Sequence, residues 1–179
     1  MKKTVLKYGA ISGAVVGVLA AILTPLCLNG GVDPSNMQVL GYTVMLLAFI
    51  AVFLGIRSYR EQQNGGTITF GQAFKVGILI TLMASAVYVI GWEIVYWGFM
   101  PDFGDKYAAY AIRKLEAEGA TPAAIAEARK KMAEFVELYK NPFFNVGMTF
   151  MEIFPVGLIV SLISAAILRR KPRSGFATA

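Results

Sequence analysis

Histidine is absent from this chain of 179 residues, and cysteine occurs once, at Cys27. An intramolecular disulfide, a His/Cys zinc site, and the Ser-His and Cys-His pairings of common hydrolases are thereby excluded. Charge is scarce as well: 16% of the residues are Asp, Glu, Lys or Arg, against roughly a quarter in an ordinary soluble domain. What fills the chain instead is 56% hydrophobic residues, with a mean hydropathy of +0.59. A domain so apolar must face much of its surface to lipid, which excludes a soluble enzyme and marks a membrane protein.

A bilayer core of about 30 Å takes roughly 20 apolar helical residues. Four runs approach that length, at about 8–28, 39–56, 74–97 and 143–168. The first two carry no charge, the third is charge-free from Val76 to Trp92 and contains Glu93, and the fourth contains Glu152. The expectation is an all-α, polytopic membrane protein, one domain over residues 1–179, with four transmembrane helices. Lys2, Lys3 and Lys7 ahead of the first run would also suit a signal peptide. That run is longer than the roughly 7 to 15 residues of such a segment, no A-x-A-like site follows it, and Leu26 before Cys27 is too bulky for lipoprotein processing. The first span is therefore expected to be retained, with Cys27 near its outer end.

Orientation follows from the basic residues. Lys2, Lys3, Lys7, Arg57, Arg60, Lys75, Arg169, Arg170, Lys171 and Arg173 fall on one side with a single acid, Glu61. That side, with both termini, is expected to be cytoplasmic. The other side has Asp33 in its first loop and a second loop, Asp102 to Lys140, with seven basic and seven acidic residues. The pI of about 9.5 then reflects topology and contact with the lipid bilayer, and no nucleic-acid partner is expected.

In the cytoplasmic loop, Asn64-Gly65-Gly66 signals a turn, and Thr69 with Gln72 fits a capping box that starts the third helix near Phe70. A gating or re-entrant loop is the functional alternative there. The outer loop has soluble-type patterning. Ala108, Ile112 and Leu115 recur at helical spacing, Gly119 is a stop, and Thr121-Pro122 reads as N-cap and first helical position. A second helix with Ile125, Ala128, Met132, Phe135 or Val136, and Tyr139 on one stripe runs to Lys140. This extracytoplasmic helical hairpin, about 102–141 between the third and fourth spans, is either a self-packed cap over the bundle or a surface that docks a protein partner.

Within the spans, Gly9, Gly13 and Gly17 make a doubled G-x-x-x-G that lets backbones approach closely. Gly77, Thr81 and Ser85, and Gly157, Ser161 and Ala165, add small-residue seams to the third and fourth spans. Packing of one bundle explains them; a homo-oligomer through the glycine face is the alternative. Glu93 and Glu152 are the ionisable residues inside spans, where such groups default to function. Both fall in the outer third of the bilayer. A helical wheel puts Asn141, Asn145 and Thr149 near the face of Glu152, with Gly157 and Ser161 on another, and Pro155 frees the carbonyl of Met151. Two readings stay open. The acids are solvated or bonded to Tyr88, Trp92 or Tyr96 with no task, or they face one another across a vestibule and share a proton or hold a cation. Two carboxylates are too few to name a metal, and neither a catalytic residue nor a cofactor is expected.

The blocks Gly55-Ile56-Arg57-Ser58-Tyr59-Arg60, Gly65-Gly66-Thr67-Ile68-Thr69-Phe70-Gly71-Gln72-Ala73-Phe74-Lys75-Val76-Gly77, and Asn141-Pro142 through Glu152-Ile153-Phe154-Pro155-Val156-Gly157 to Arg169-Arg170-Lys171, with the opening helix to Gly17, resemble a family of uncharacterised proteins, domain of unknown function 4199. The resemblance covers nearly the whole chain and implies a bacterial four-helix inner-membrane protein without a known activity. Two functions are compatible with the residues: a non-enzymatic accessory or structural component whose outer hairpin docks a partner, which is preferred, and a small transporter or ion-conducting oligomer using Glu93 and Glu152. Shallow acids and the lack of internal repeats count against the second.

Overall fold

The computed structural model describes the backbone of residues 1–28 and 34–170, and the side chains of these apart from 27–28 and 34–38. Asp33, Lys171, Arg173 and the side chain of Cys27 lie outside the described residues. The described chain is helical throughout: α1 (Lys2–Leu28), α2 (Pro34–Gln63), α3 (Phe70–Phe99), α4 (Phe103–Ala117), α5 (Pro122–Tyr139) and α6 (Pro142–Leu168). Four of these, α1, α2, α3 and α6, are long and apolar enough to cross a membrane.

Helix ends follow local chemistry more closely than the limits of the apolar runs. α2 continues past Ile56 to Gln63 because Arg, Glu and Gln are good helix formers. It stops where Gly65 and Gly66 take positive φ, at 62° and 77°, with Asn64 Nδ2 donating to the Thr67 carbonyl at 2.6 Å. α3 begins on the expected capping box: the Gln72 amide donates to Thr69 Oγ1 at 3.3 Å, and the Thr69 amide to Gln72 Oε1 at 3.1 Å. Thr69→Ala is therefore expected to cost about 1 kcal/mol, read as a lowered Tm in detergent, with Thr69→Ser close to the native value. Gly119 turns the chain at φ 74°, Thr121 caps α5 ahead of Pro122, and Asn141 caps α6 ahead of Pro142.

α3 is the central helix, flanked by α1 and α6, and α2 packs against α1 and α6 to close the bundle. Gly9 lies under Met83 and Gly13 under Ala84 and Val87, so α1 and α3 run parallel. Gly77 meets Ser161 and Thr81 meets Gly157, so α3 and α6 run antiparallel. Phe49, Val52, Ile56, Ile80 and Ile153 fill the middle. Two buried hydroxyls are bonded across helices: Ser12 Oγ donates to the Ala48 carbonyl at 3.0 Å, and Thr81 Oγ1 to the Gly157 carbonyl at 3.2 Å, whereas buried Ser85 Oγ has no partner among the described residues. The outer faces carry Val18, Ile22, Leu47, Ile90 and Ile167, more than half exposed, as a lipid-facing surface requires.

The helical pair α4–α5 stands at one end of this bundle, between the end of α3 and the start of α6. Ile112 and Tyr139 are its most buried apolar side chains, and Val136 of α5 packs over Gly104 of α4. Its charged faces carry the ion pairs Asp102–Lys106 at 2.9 Å and Glu127–Lys131 at 2.7 Å, and Glu116–Arg129 at 2.9 Å crosses between the two helices. Such exposed pairs add little stability. The opposite end of the bundle is tied by Gln63 Nε2 to Thr4 Oγ1 at 2.6 Å, by Arg60 Nη1 to the Leu168 carbonyl at 3.0 Å, and by Ile68 and Arg170, which exchange two backbone bonds at 2.8 and 2.9 Å.

Candidate functional site

Polar and aromatic side chains converge where α3, α5 and α6 meet below the hairpin. α3 supplies Tyr88, Trp92 and Tyr96 on its buried face, α5 ends on buried Tyr139, and α6 contributes Asn145 and Thr149. Trp92 Nε1 donates to Tyr139 Oη at 2.9 Å. Asn145, fully buried, donates through Nδ2 to the Tyr139 carbonyl at 3.4 Å and accepts from Thr149 Oγ1 at 3.3 Å. Rings of Tyr96, Phe103 and Phe135 stand 5.3 to 5.5 Å from that of Tyr139, within the range of favourable aromatic pairs. Burial pushes the Tyr139 phenol up to about 12; hydrogen bonds with Thr149 and Trp92 oppose the rise, and the charges of Glu152 and Glu93 add to it. Tyr139 is thus a neutral phenol throughout the physiological range.

The two acids border this network and take different partners. Tyr88 Oη donates to Glu152 Oε2 at 3.2 Å, while Trp97 Nε1 donates to Glu93 Oε2 at 2.9 Å. Glu93 Oε1 is buried without a hydrogen-bond partner among the described residues. Each carboxylate thus has an aromatic donor of its own. Five residues separate Tyr88 from Glu93, a rotation of about 140° and a rise of about 7.5 Å. A helix that turns Tyr88 toward α6 therefore turns Glu93 away from it.

Asn145 and Thr149 share one buried row with Ile153, Gly157, Ser161 and Ala165. This corrects the expectation that Gly157 and Ser161 lie on a different face. Residues four apart form a ridge inclined to the helix axis, and that ridge is what packs against α3. Glu152 stands on the flank of the row as an exposed residue, one position before fully buried Ile153. Asn141 spends its side chain on the α6 N-cap, accepting from the Phe143 amide at 2.9 Å, and Pro155 lies inside α6 without ending it. Of the glycines, Gly9 and Gly13 are pressed against α3, whereas a Cβ at Gly17 would meet nothing within 4 Å.

Among the described residues no group of three metal-ligating side chains gathers. The arrangement supplies hydrogen-bonded bracing between the spans and the hairpin. Trp92–Tyr139 was not anticipated from the sequence, although Trp92, Tyr96 and Tyr139 all occupy the apolar stripes of their helices.

Four apolar helices in a bundle, with a polar helical pair at one end, define a multi-pass helical membrane protein. The chain matches the family model Protein of unknown function (DUF4199) over residues 7–170, and it belongs to that family. No curated protein and no solved structure matches it.

Proposed function

We propose that the protein is a non-enzymatic accessory or structural component of the bacterial inner membrane, with both termini cytoplasmic and the α4–α5 pair outside as its interaction module. The observation that carries this reading is a groove of about 620 Å³ between α4 and α5. Ile112, Met132 and Val136 give it an apolar floor, and Arg113, Arg129 and Lys140 are among the charged residues on its walls. Tyr139, the last residue of α5, ties this hairpin to α3 through Trp92 and to α6 through Asn145. Transport through a Glu93–Glu152 pair has less support, because each acid is bound to its own aromatic donor.

Photo-crosslinking tests the module. A photoreactive residue at Ala109 or Ala133, both in the groove, should give one discrete protein adduct in native membranes, and one at Lys131, about 160° around α5 from Ala133, should not. Equal labelling from both faces, or adducts with lipid alone, would count against the reading. Topology is tested separately. In a Cys27→Ser background, a cysteine added after Ala179 is expected to resist a membrane-impermeant thiol reagent in intact spheroplasts; labelling would reverse the assignment.

A further inference from the structure

The end of the bundle opposite the hairpin carries an ordered rim of cations. Gly55 of α2 lies against Tyr8 of α1 and Ile80 of α3, and Ile56 lies against Gly77. Lys7, Arg57 and Lys75 each stand within two residues of these contacts, about 3 Å of helical rise. Three helices thus place one exposed cation apiece at a common level. A second tier lies beyond the first, where the bonds Gln63–Thr4, Arg60–Leu168 and Ile68–Arg170 hold the exposed Lys3, Arg169 and Arg170 on a tied frame.

This rim lacks counter-charge. Its one acid among the described residues, Glu61, is held by Arg60 through Nη2 at 2.6 Å and Nε at 3.0 Å. Among the described residues no carboxylate pairs with Arg57, Lys75, Arg169 or Arg170, and Lys7 has only the Tyr8 ring, 5.7 Å away. Apolar surface adjoins the same cations: Leu6 and Leu54 are exposed beside Lys7 and Arg57, and exposed Phe70 stacks on Phe74 next to Lys75, the rings 6.3 Å apart. Cations beside exposed apolar side chains match an amphiphile, with a phosphate for the first and hydrocarbon for the second.

We propose that this rim is a binding site for the phosphate headgroups of anionic phospholipid, with Lys7, Arg57 and Lys75 as the inner contacts. The site stands whichever side of the membrane it faces. Each cation removed is expected to weaken binding about fivefold, so the triple change should weaken it on the order of 100-fold. The test uses the full chain in detergent, with lipid retention counted by native mass spectrometry for phosphatidylglycerol and phosphatidylcholine. Wild type should retain phosphatidylglycerol selectively and lose it at high salt. Lys7→Gln/Arg57→Gln/Lys75→Gln should lose that selectivity, while Arg129→Gln/Lys130→Gln/Lys131→Gln, which removes the same charge from the hairpin, should keep it. Should the inner triple variant not fold, Arg57→Gln alone and the salt dependence of wild type decide the matter. The proposal is overturned if wild type holds both lipids equally, or if the folded inner variant holds phosphatidylglycerol as wild type does. Complete displacement by millimolar inorganic phosphate would reassign the rim to a soluble anion and overturn the lipid assignment.

Discussion

Leucine at Gly13 is expected to break the α1–α3 contact, while leucine at Gly17, about one turn further along the same helix, leaves it in place. A Cβ at Gly13 would stand 2.5 Å from the Ala84 carbonyl oxygen and 2.7 Å from Val87 Cβ. Backbone of the central helix cannot yield as the far end of a flexible side chain would, so α1 must move out or tilt. Overpacking of this kind costs about 1–3 kcal/mol and sometimes more, a large share of a stability that is seldom above about 15 kcal/mol. At Gly17 no atom lies within 4 Å of the added Cβ, and Val15 is 41% exposed on the lipid side. The measurement is thermal denaturation in detergent, with size-exclusion profiles as a check on assembly. Gly13→Leu should lower Tm by several degrees and broaden the profile; Gly17→Leu and Val15→Leu should match wild type. Equal behaviour of all three would remove the case for close backbone approach at Gly13.

The same triplet shows how far the sequence carries. Spacing by four marks small residues on one side of a helix, but each step of four drifts about 40° at 3.6 residues per turn. The contact row of α1 therefore runs through Gly9 and Gly13 and then shifts by three to Val16, which is 2% exposed, leaving Gly17 beside it. The starts of α3, α5 and α6 were legible because they depend on neighbours in the chain: Thr69 and Gln72, Thr121 and Pro122, Asn141 and Pro142 each settle their own cap. The charge-free run stops at Ile56 while α2 continues to Gln63, since charge ends an apolar run without ending a helix. Position along the helix could be read for Glu93 and Glu152, yet direction around the helix could not. A wheel fixes angles within one helix and says nothing of where the neighbouring helix lies. Tyr139 with Trp92, and Ile68 with Arg170, join residues 47 and 102 positions apart, and pairings of that kind leave no period in the sequence.

Replacing Tyr139 should release the hairpin from the bundle and leave the bundle folded. The side chain is 6% exposed, its ring meets Tyr96 of α3 and Phe103 of α4, and its hydroxyl accepts from Trp92. Truncation of a buried aromatic costs about 3–5 kcal/mol. Here Trp92 Nε1 would also be left without its partner, a further cost of about 1–3 kcal/mol for a buried polar group. Most of this loss falls on the junction, because the α1–α3 and α3–α6 contacts around Gly13, Thr81 and Gly157 do not involve the residue. Tyr139→Phe keeps the ring contacts and gives up only the hydroxyl's bonds with Trp92 and Thr149, so its effect should be clearly smaller. Hydrogen exchange followed by peptide-level mass spectrometry separates the two regions. In Tyr139→Ala, amides of α4 and α5 should exchange faster by orders of magnitude, with those of α1 and the first half of α3 unchanged. In Tyr139→Phe, protection of α4 and α5 should fall by about ten- to a hundredfold, the equivalent of leaving Trp92 Nε1 unpartnered. Exchange that rises equally in bundle and hairpin would mean the two fold as one cooperative unit. Protection that stays native in Tyr139→Ala would mean the hairpin is seated by contacts other than this residue.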